Sequence, residues 1–401
     1  MSAVQDWLLP PELIELIVDK LRHDNITLKS CSLAASFFRE PCQRRLLHAL
    51  NLCTTSVYRR QPYSKVSARL DESPHLASYI TKVVVYLPAT DVEWERNRDI
   101  AKSVFRRLAH IRDATIQGNY SHQARYESLS VEVVDWTIST LRVHAVLDHL
   151  RLWSIERLPV SVLAGALAAA PSISFRDVRL LDDSEDPPAN LDLQPGRVSL
   201  DRLAIWHSPM VNALLLRPTC AVYTDTLRAL ILCEEYLISY RETMFALCFT
   251  TARRLEHLDL EFATRIRQES NINLPNYLPR LRSLVVRFSN NGLSTWVAPT
   301  FLLKLVSHET SPALKSLTLC VSTVVAADDS EEEKSRYTFS DSQAITELDR
   351  VLGLHCTPVA VRFSLSTLPL GQKQGVRNAV FAVALRKAMP NAERRCLLEV
   401  D

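Results

Sequence analysis

The residues most able to do chemistry are few and poorly spaced for it. His144 and His149 stand five apart. Two ligands on one helical face need a separation of three or four, and no carboxylate or cysteine set completes a metal site around this pair. His355 and Cys356 are neighbours, so in regular structure their side chains diverge. Glu234 and Glu235 follow an apolar run at 227–232, where either a solvated pair or a recognition point would fit. The chain has no GxSxG, P-loop, HExxH or GxGxxG pattern. Its seven glycines remove most phosphate-cradling loops from consideration. No catalytic residue, cofactor or metal is expected. What remains is recognition. Arg151, Trp153, Trp206, Arg228 and Arg287 sit within or beside apolar segments. Trp and Arg dominate interface energetics, so these five are the expected contacts to a protein substrate.

The elements that must position them come from a recurring pattern, apolar-x-x-apolar-x-apolar. It reads Ile80/Val83/Val85, Ile111/Ala114/Ile116, Leu147/Leu150/Leu152, Phe175/Val178/Leu180, Leu200/Leu203/Ile205, Leu227/Leu230/Leu232, Leu255/Leu258/Leu260, Leu281/Leu284/Val286 and Leu314/Leu317/Leu319. Helix-compatible stretches lie between, at 99–109, 126–140, 159–170, 242–251 and 296–308. Each interval reads strand, turn, helix, turn, and crossovers of that length imply a parallel sheet. The expected fold class is α/β. The x positions then share one sheet face: Arg151, Trp153, Arg179, Trp206, Arg228, His257, Asp259, Glu261, Arg282, Arg287 and Lys315. Acidic stretches at 182–188 and 328–334 read as solvated loops. The segment 340–401 reads as a terminal cap of two helices and two strands.

This pattern resembles the leucine-rich repeat family in an irregular form. The asparagine or cysteine ladder of the standard repeat is missing, since Leu152 is followed by Trp153-Ser154-Ile155. The resemblance implies a solenoid with helices on the convex side.

Composition sets outer bounds. The chain has 401 residues, of which 47% are apolar and 23% charged, so it is globular and long enough for a small domain plus an elongated one. Its 47 basic and 45 acidic residues leave a net charge of +2. That balance argues against nucleic acid as a partner, because such binding rests on neutralising phosphates. No run approaches the roughly 18 apolar residues of a membrane helix; the densest, 160–170, is shorter and Ala-rich. The nine cysteines are scattered without a CxxC pair and no secretory signal is visible. A reducing compartment, cytoplasm or nucleus, is expected.

The N-terminal stretch, 8–52, is the most specific. Pro10 and Pro11 suit a helix start, where a missing N–H costs nothing. Leu13, Ile14, Ile17, Val18 and Leu21 form one broad apolar stripe. Asp24, Asn25 and Thr27 break that helix and cap a second, which carries Leu28, Cys31, Leu33, Ala34, Phe37 and Phe38. A third helix is expected at 41–50. Fifty residues of short helices cannot bury this much apolar surface among themselves.

Leu9-Pro10-Pro11-Glu12-Leu13-Ile14, the Ile17/Leu21 continuation, Cys31-Ser32-Leu33-Ala34 and Phe38-Arg39 together resemble an F-box, similar to those of F-box proteins common in mushroom-forming fungi. The resemblance covers about 45 residues and departs from the family at Ala35 and Ser36, and at Phe38 where Trp is also common. It implies docking to a Skp1-like adaptor of a cullin–RING ubiquitin ligase. The matching residues are Leu9, Pro10, Leu13, Ile17, Leu21, Leu28, Cys31 and Leu33, each carrying either the fold or the adaptor contact. The expectation is therefore a non-catalytic, substrate-recognising subunit of a Skp1–cullin–F-box ligase: an F-box-like domain at 8–52, a linker at 53–74 and a repeat domain at 75–401. The alternative is an F-box and repeat scaffold acting outside ubiquitination.

Overall fold

The computed structural model describes residues 9–54, 60–88, 91–118, 129–143, 147–181, 199–233, 241–262, 273–290, 300–324, 343–368, 382–383, 385–395 and 398–400. They form two compact units, residues 1–170 and 171–401. Both are α/β, and all the pairings described within their sheets are parallel.

Unit one opens with three short helices, α1 (Pro11–Lys20), α2 (Asn25–Ala34) and α3 (Ser36–Leu46). Pro11 stands in the first turn of α1, where no partner for its N–H is missed. Asp24 caps α2, its carboxylate accepting from the Ile26 and Thr27 amides at 3.1 and 3.0 Å and from the Thr27 hydroxyl at 2.6 Å. These bonds, the Thr27 hydroxyl foremost, hold the Asp24 carboxyl below its ordinary pKa. Val18, Leu28 and Cys42 form the seam between the three helices, with Leu21, Cys31, Phe38 and Leu46 packed against it.

The chain then enters the sheet directly. Strand β1 (Ala49–Cys53) pairs with β2 (Gln61–Pro62) on one side and β3 (Lys82–Tyr86) on the other. Strands β4 (Asp113–Gln117) and β5 (His149–Trp153) follow β3 in order. Two rows cross the sheet in register and are buried: Leu50, Val83, Ala114, Leu150 and Leu52, Val85, Ile116, Leu152. The crossover helices α4 (Tyr63–Glu72), α5 (Asp91–Arg107), α6 (Leu129–Val143) and α7 (Val160–Leu167) supply the other layer. Trp136 of α6 packs between Trp94 and Phe105 of α5, with ring centroids 5.1 and 5.5 Å away. Gly118, just past β4, donates its amide to the Trp153 carbonyl at 2.8 Å.

Unit two repeats the plan with eight strands in chain order: β6 (Ser172–Arg176), β7 (Arg202–Trp206), β8 (Ala229–Cys233), β9 (His257–Phe262), β10 (Ser283–Asn290), β11 (Ser316–Val324), β12 (Ala360–Leu368) and β13 (Leu398–Val400). Each new strand joins the same side of the last, the arrangement that same-handed crossovers produce. One buried row runs Ile173, Leu203, Leu230, Leu258, Leu284, Leu317, Val361 and Leu398 in register. At the last edge, buried Asp349 of the helix Gln343–Gly353 accepts from the Asn391 and Ala392 amides at 3.0 and 2.9 Å, capping the helix Pro390–Arg394.

Three sequence expectations change. Residues 60–74, within the span 53–74 expected as a linker, are not one. Cys53 ends β1, Gln61–Pro62 is a strand, and α4 buries Tyr63, Val66 and Leu70. Ser64, Lys65, Arg69, Asp71 and Glu72 lie on the exposed side of α4, so composition concealed an amphipathic helix. The third helix is α3, displaced toward the N-terminus from 41–50. Ala35 takes an extended conformation and breaks the second helix early, and Pro41 lies inside α3. Leu47 caps the end of α3, and Leu50 and Leu52 then open the sheet in β1. The fourth apolar triplet also slips: Ile173 and Phe175 occupy the buried rows, so the true unit is Ala170/Ile173/Phe175, with Val178 and Leu180 beyond the strand. Ala170 is too weakly apolar to mark the start. The segments 182–188 and 328–334 lie outside the described residues.

Candidate protein-docking surfaces

Helix α1 carries two apolar stripes. Ile14 and Val18, four apart, face inward and are buried. Leu13, Leu16 and Ile17 share the other side, with Leu9 just before the helix; they are 46%, 55%, 38% and 39% exposed. On α2, Leu28 is in the seam while Ile26 and Leu33 are almost fully exposed. The eight sequence candidates therefore divide. Leu9, Pro10, Leu13, Ile17 and Leu33 lie on the surface, Leu21 and Cys31 are half-buried against the seam, and Leu28 belongs wholly to the core. Of the two roles expected of these residues, Leu28 carries the fold, because the three-helix packing covers it. Leu16 and Ile26 were not singled out from the sequence. Leu16 was legible there, since Leu9, Leu13, Leu16 and Ile17 themselves keep helical spacing.

Ion pairs lock this segment without covering it. Arg44 meets Glu15 at 3.4 Å and Glu40 at 2.7 Å, and Arg45 pairs with Asp19. All are about half exposed, so each adds little stability; the Glu15 and Asp19 pairs join α1 to α3, and the Glu40 pair lies within α3. Each exposed leucine or isoleucine still leaves ~1 kcal/mol of burial unrealised. The surface is thus an apolar patch rimmed by charge, the usual look of a protein-binding site.

The second surface is the sheet face opposite the buried rows. In unit one it carries Arg151 and Trp153 on β5. Arg151 pairs with Asp113 of β4, and Trp153 is half-buried with no hydrogen-bond partner for its indole nitrogen among the described residues. In unit two, Arg176, Trp206, Cys233, Glu261, Arg287 and Cys320 form one row in register. Trp206 and Arg287 are thus placed on the same line, three strands or about 14 Å apart. Arg287 bonds Asp259 through Nε at 3.1 Å and Nη2 at 2.8 Å. That bond holds the guanidinium more firmly charged than usual.

Four expected members of this face are not on strands. Arg228, Arg282 and Lys315 each stand one residue before a strand begins, and Arg179 lies past β6. Arg228 instead pairs with Asp201 at 3.5 Å in the turn row. It is therefore removed from the Trp206 row by position, not merely by orientation. The pairing register that fixes these rows was the missing signal.

His144, Glu234 and Glu235 lie outside the described residues, and His149 is an exposed strand residue. Among the described residues no three metal-ligating side chains come together, and no helix is long and apolar enough to cross a membrane. No known family model matches the chain, and no curated protein matches it.

Proposed function

We propose that this chain is the substrate-recognition subunit of a Skp1–cullin–F-box type ubiquitin ligase. The three N-terminal helices are the F-box and dock a Skp1-like adaptor. The two α/β units are irregular leucine-rich repeats whose open sheet faces hold a protein substrate. The observation that carries the reading is the outward stripe of Leu9, Leu13, Leu16 and Ile17 on a helix whose inward stripe already has a complete seam. Apolar side chains that the fold itself leaves uncovered are what an adaptor would bury.

On this reading the chain contributes no catalytic group. It holds a lysine-bearing target beside the ligase machinery, and the rate gain is one of effective concentration. It works in the cytoplasm, the nucleus or both.

Because Leu13 and Ile17 lie on the surface, the double change Leu13→Asp with Ile17→Asp removes the patch without touching the seam. Co-purification with Skp1 should fall at least ~100-fold, from about 3 kcal/mol of lost burial and added desolvation, with an unchanged circular dichroism spectrum. Undiminished Skp1 capture would end the proposal. Skp1 binding without assembly onto a cullin would move the chain to a scaffold role outside ubiquitination.

A further inference from the structure

Cys356 is the only exposed cysteine among the described residues; Cys31 and Cys320 are half-buried and the other five are buried. It lies past the helix Gln343–Gly353, in the turn leading to β12. The corresponding turn one repeat earlier, after the helix Thr300–Leu305, carries His308. Both turns lie in unit two, and His308 Nε2 lies 3.7 Å from Cys356 Sγ. Behind the pair stands His355, 5% exposed, with its ring edge-on to His308 at 5.4 Å between centroids. His355 Nε2 donates to the Val306 carbonyl at 2.5 Å, which leaves its Nδ1 without a proton when neutral. Among the described residues neither Nδ1, of His308 or of His355, has a partner although both atoms are buried.

We propose that Cys356 is a covalent modification site that exchanges with low-molecular-weight disulfides such as glutathione disulfide. A thiol becomes a nucleophile only as thiolate, and an adjacent imidazole is the usual base. The thiol proton passes to His308 Nε2. The Cys356 sulfur then attacks one sulfur of the disulfide, a new S–S bond forms, the old one breaks, and the departing thiolate takes the proton back. No net electron change occurs beyond the exchange. At the end of the preceding helix, Arg395 donates to the Gly353 carbonyl at 3.2 Å. Glu309, exposed beside His308, is the other charge in the turn. Every residue of the site belongs to unit two, so the proposal does not depend on the adaptor reading.

The test uses the reduced full-length chain and glutathione disulfide, with adducts located by peptide mass mapping. Cys356 should acquire glutathione about tenfold faster than Cys31 or Cys320, and His308→Asn should slow it about tenfold. An equal rate at the three cysteines, or an unchanged rate in the variant, overturns the proposal. If His308→Asn does not fold, the unaltered chain decides. Cys356 must react faster when native than in urea at the same pH, and an equal or slower native rate refutes an assisted thiol.

Discussion

At the residue scale, single side chains are held by contacts that the sequence does not display. A Cβ added at Gly118 would lie 1.8 Å from the Ser154 carbonyl oxygen and 2.9 Å from its carbon. The glycine is there for close approach of two backbones, not for an unusual dihedral. Gly118→Ala should therefore destabilise unit one by about 2 kcal/mol or more, seen as lost hydrogen-exchange protection across β4 and β5. Burial also fixes titration. The Cys248 thiol, buried in the helix Arg241–Thr251, is pushed up to about 12, and burial likewise raises the Tyr63 phenol. Both groups keep their protons in the folded chain at a pH where the unfolded chain loses them. The stability tied to Cys248 is thus intact below about pH 8.5 and declines as pH rises toward the folded value. The unfolding midpoint in urea should drop between pH 8.5 and 10.5, and Cys248→Ala should show a smaller drop relative to its own starting value.

At the element scale, alternation along each strand decides which residue can change. Leu284 is fully buried on β10, while its neighbour Val285 is half-exposed on the other face. Leu284→Ala should cost about 2–5 kcal/mol and loosen amide protection in β9, β10 and β11 together. Val285→Ala should cost about 1 kcal/mol or less. Equal effects would mean that the two faces are not distinct. The same alternation shows how much of the strand pattern was legible. Eight of the nine apolar triplets fall on the buried rows as spaced in the sequence. The remaining one, the fourth, slipped because Ala170 carries too little side chain to announce a strand, whereas Val178 and Leu180 beyond it carry enough to mimic one. The first strand, β1, was hidden for the opposite reason. Its leucines sit where helical spacing from α3 also fits, and only pairing with β3 resolves the ambiguity.

At the scale of the whole molecule, the N-terminal patch sets how the isolated chain behaves. A purified protein with Leu9, Leu13, Leu16 and Ile17 facing water should self-associate more than one without them. Light scattering at increasing concentration should show this, and Leu13→Asp with Ile17→Asp should reduce it. If the variant scatters as much as the unaltered chain, the patch is not the sticky surface. The candidate recognition residues divide at this scale too. Trp206 and Arg287 gain a shared row from the sheet register, while Arg228 loses its place because it precedes the strand.

The sequence alone determined the α/β class, the parallel pairing, most of the buried rows and the apolar excess near the N-terminus. These follow from periodicity, which local chemistry imposes on every strand and helix. Tertiary structure alone decided which half of the α1 stripe turns inward, which arginines reach the open sheet face, and that His308 meets Cys356. Each of those depends on where a distant segment packs, and no spacing along one strand or helix encodes the position of another.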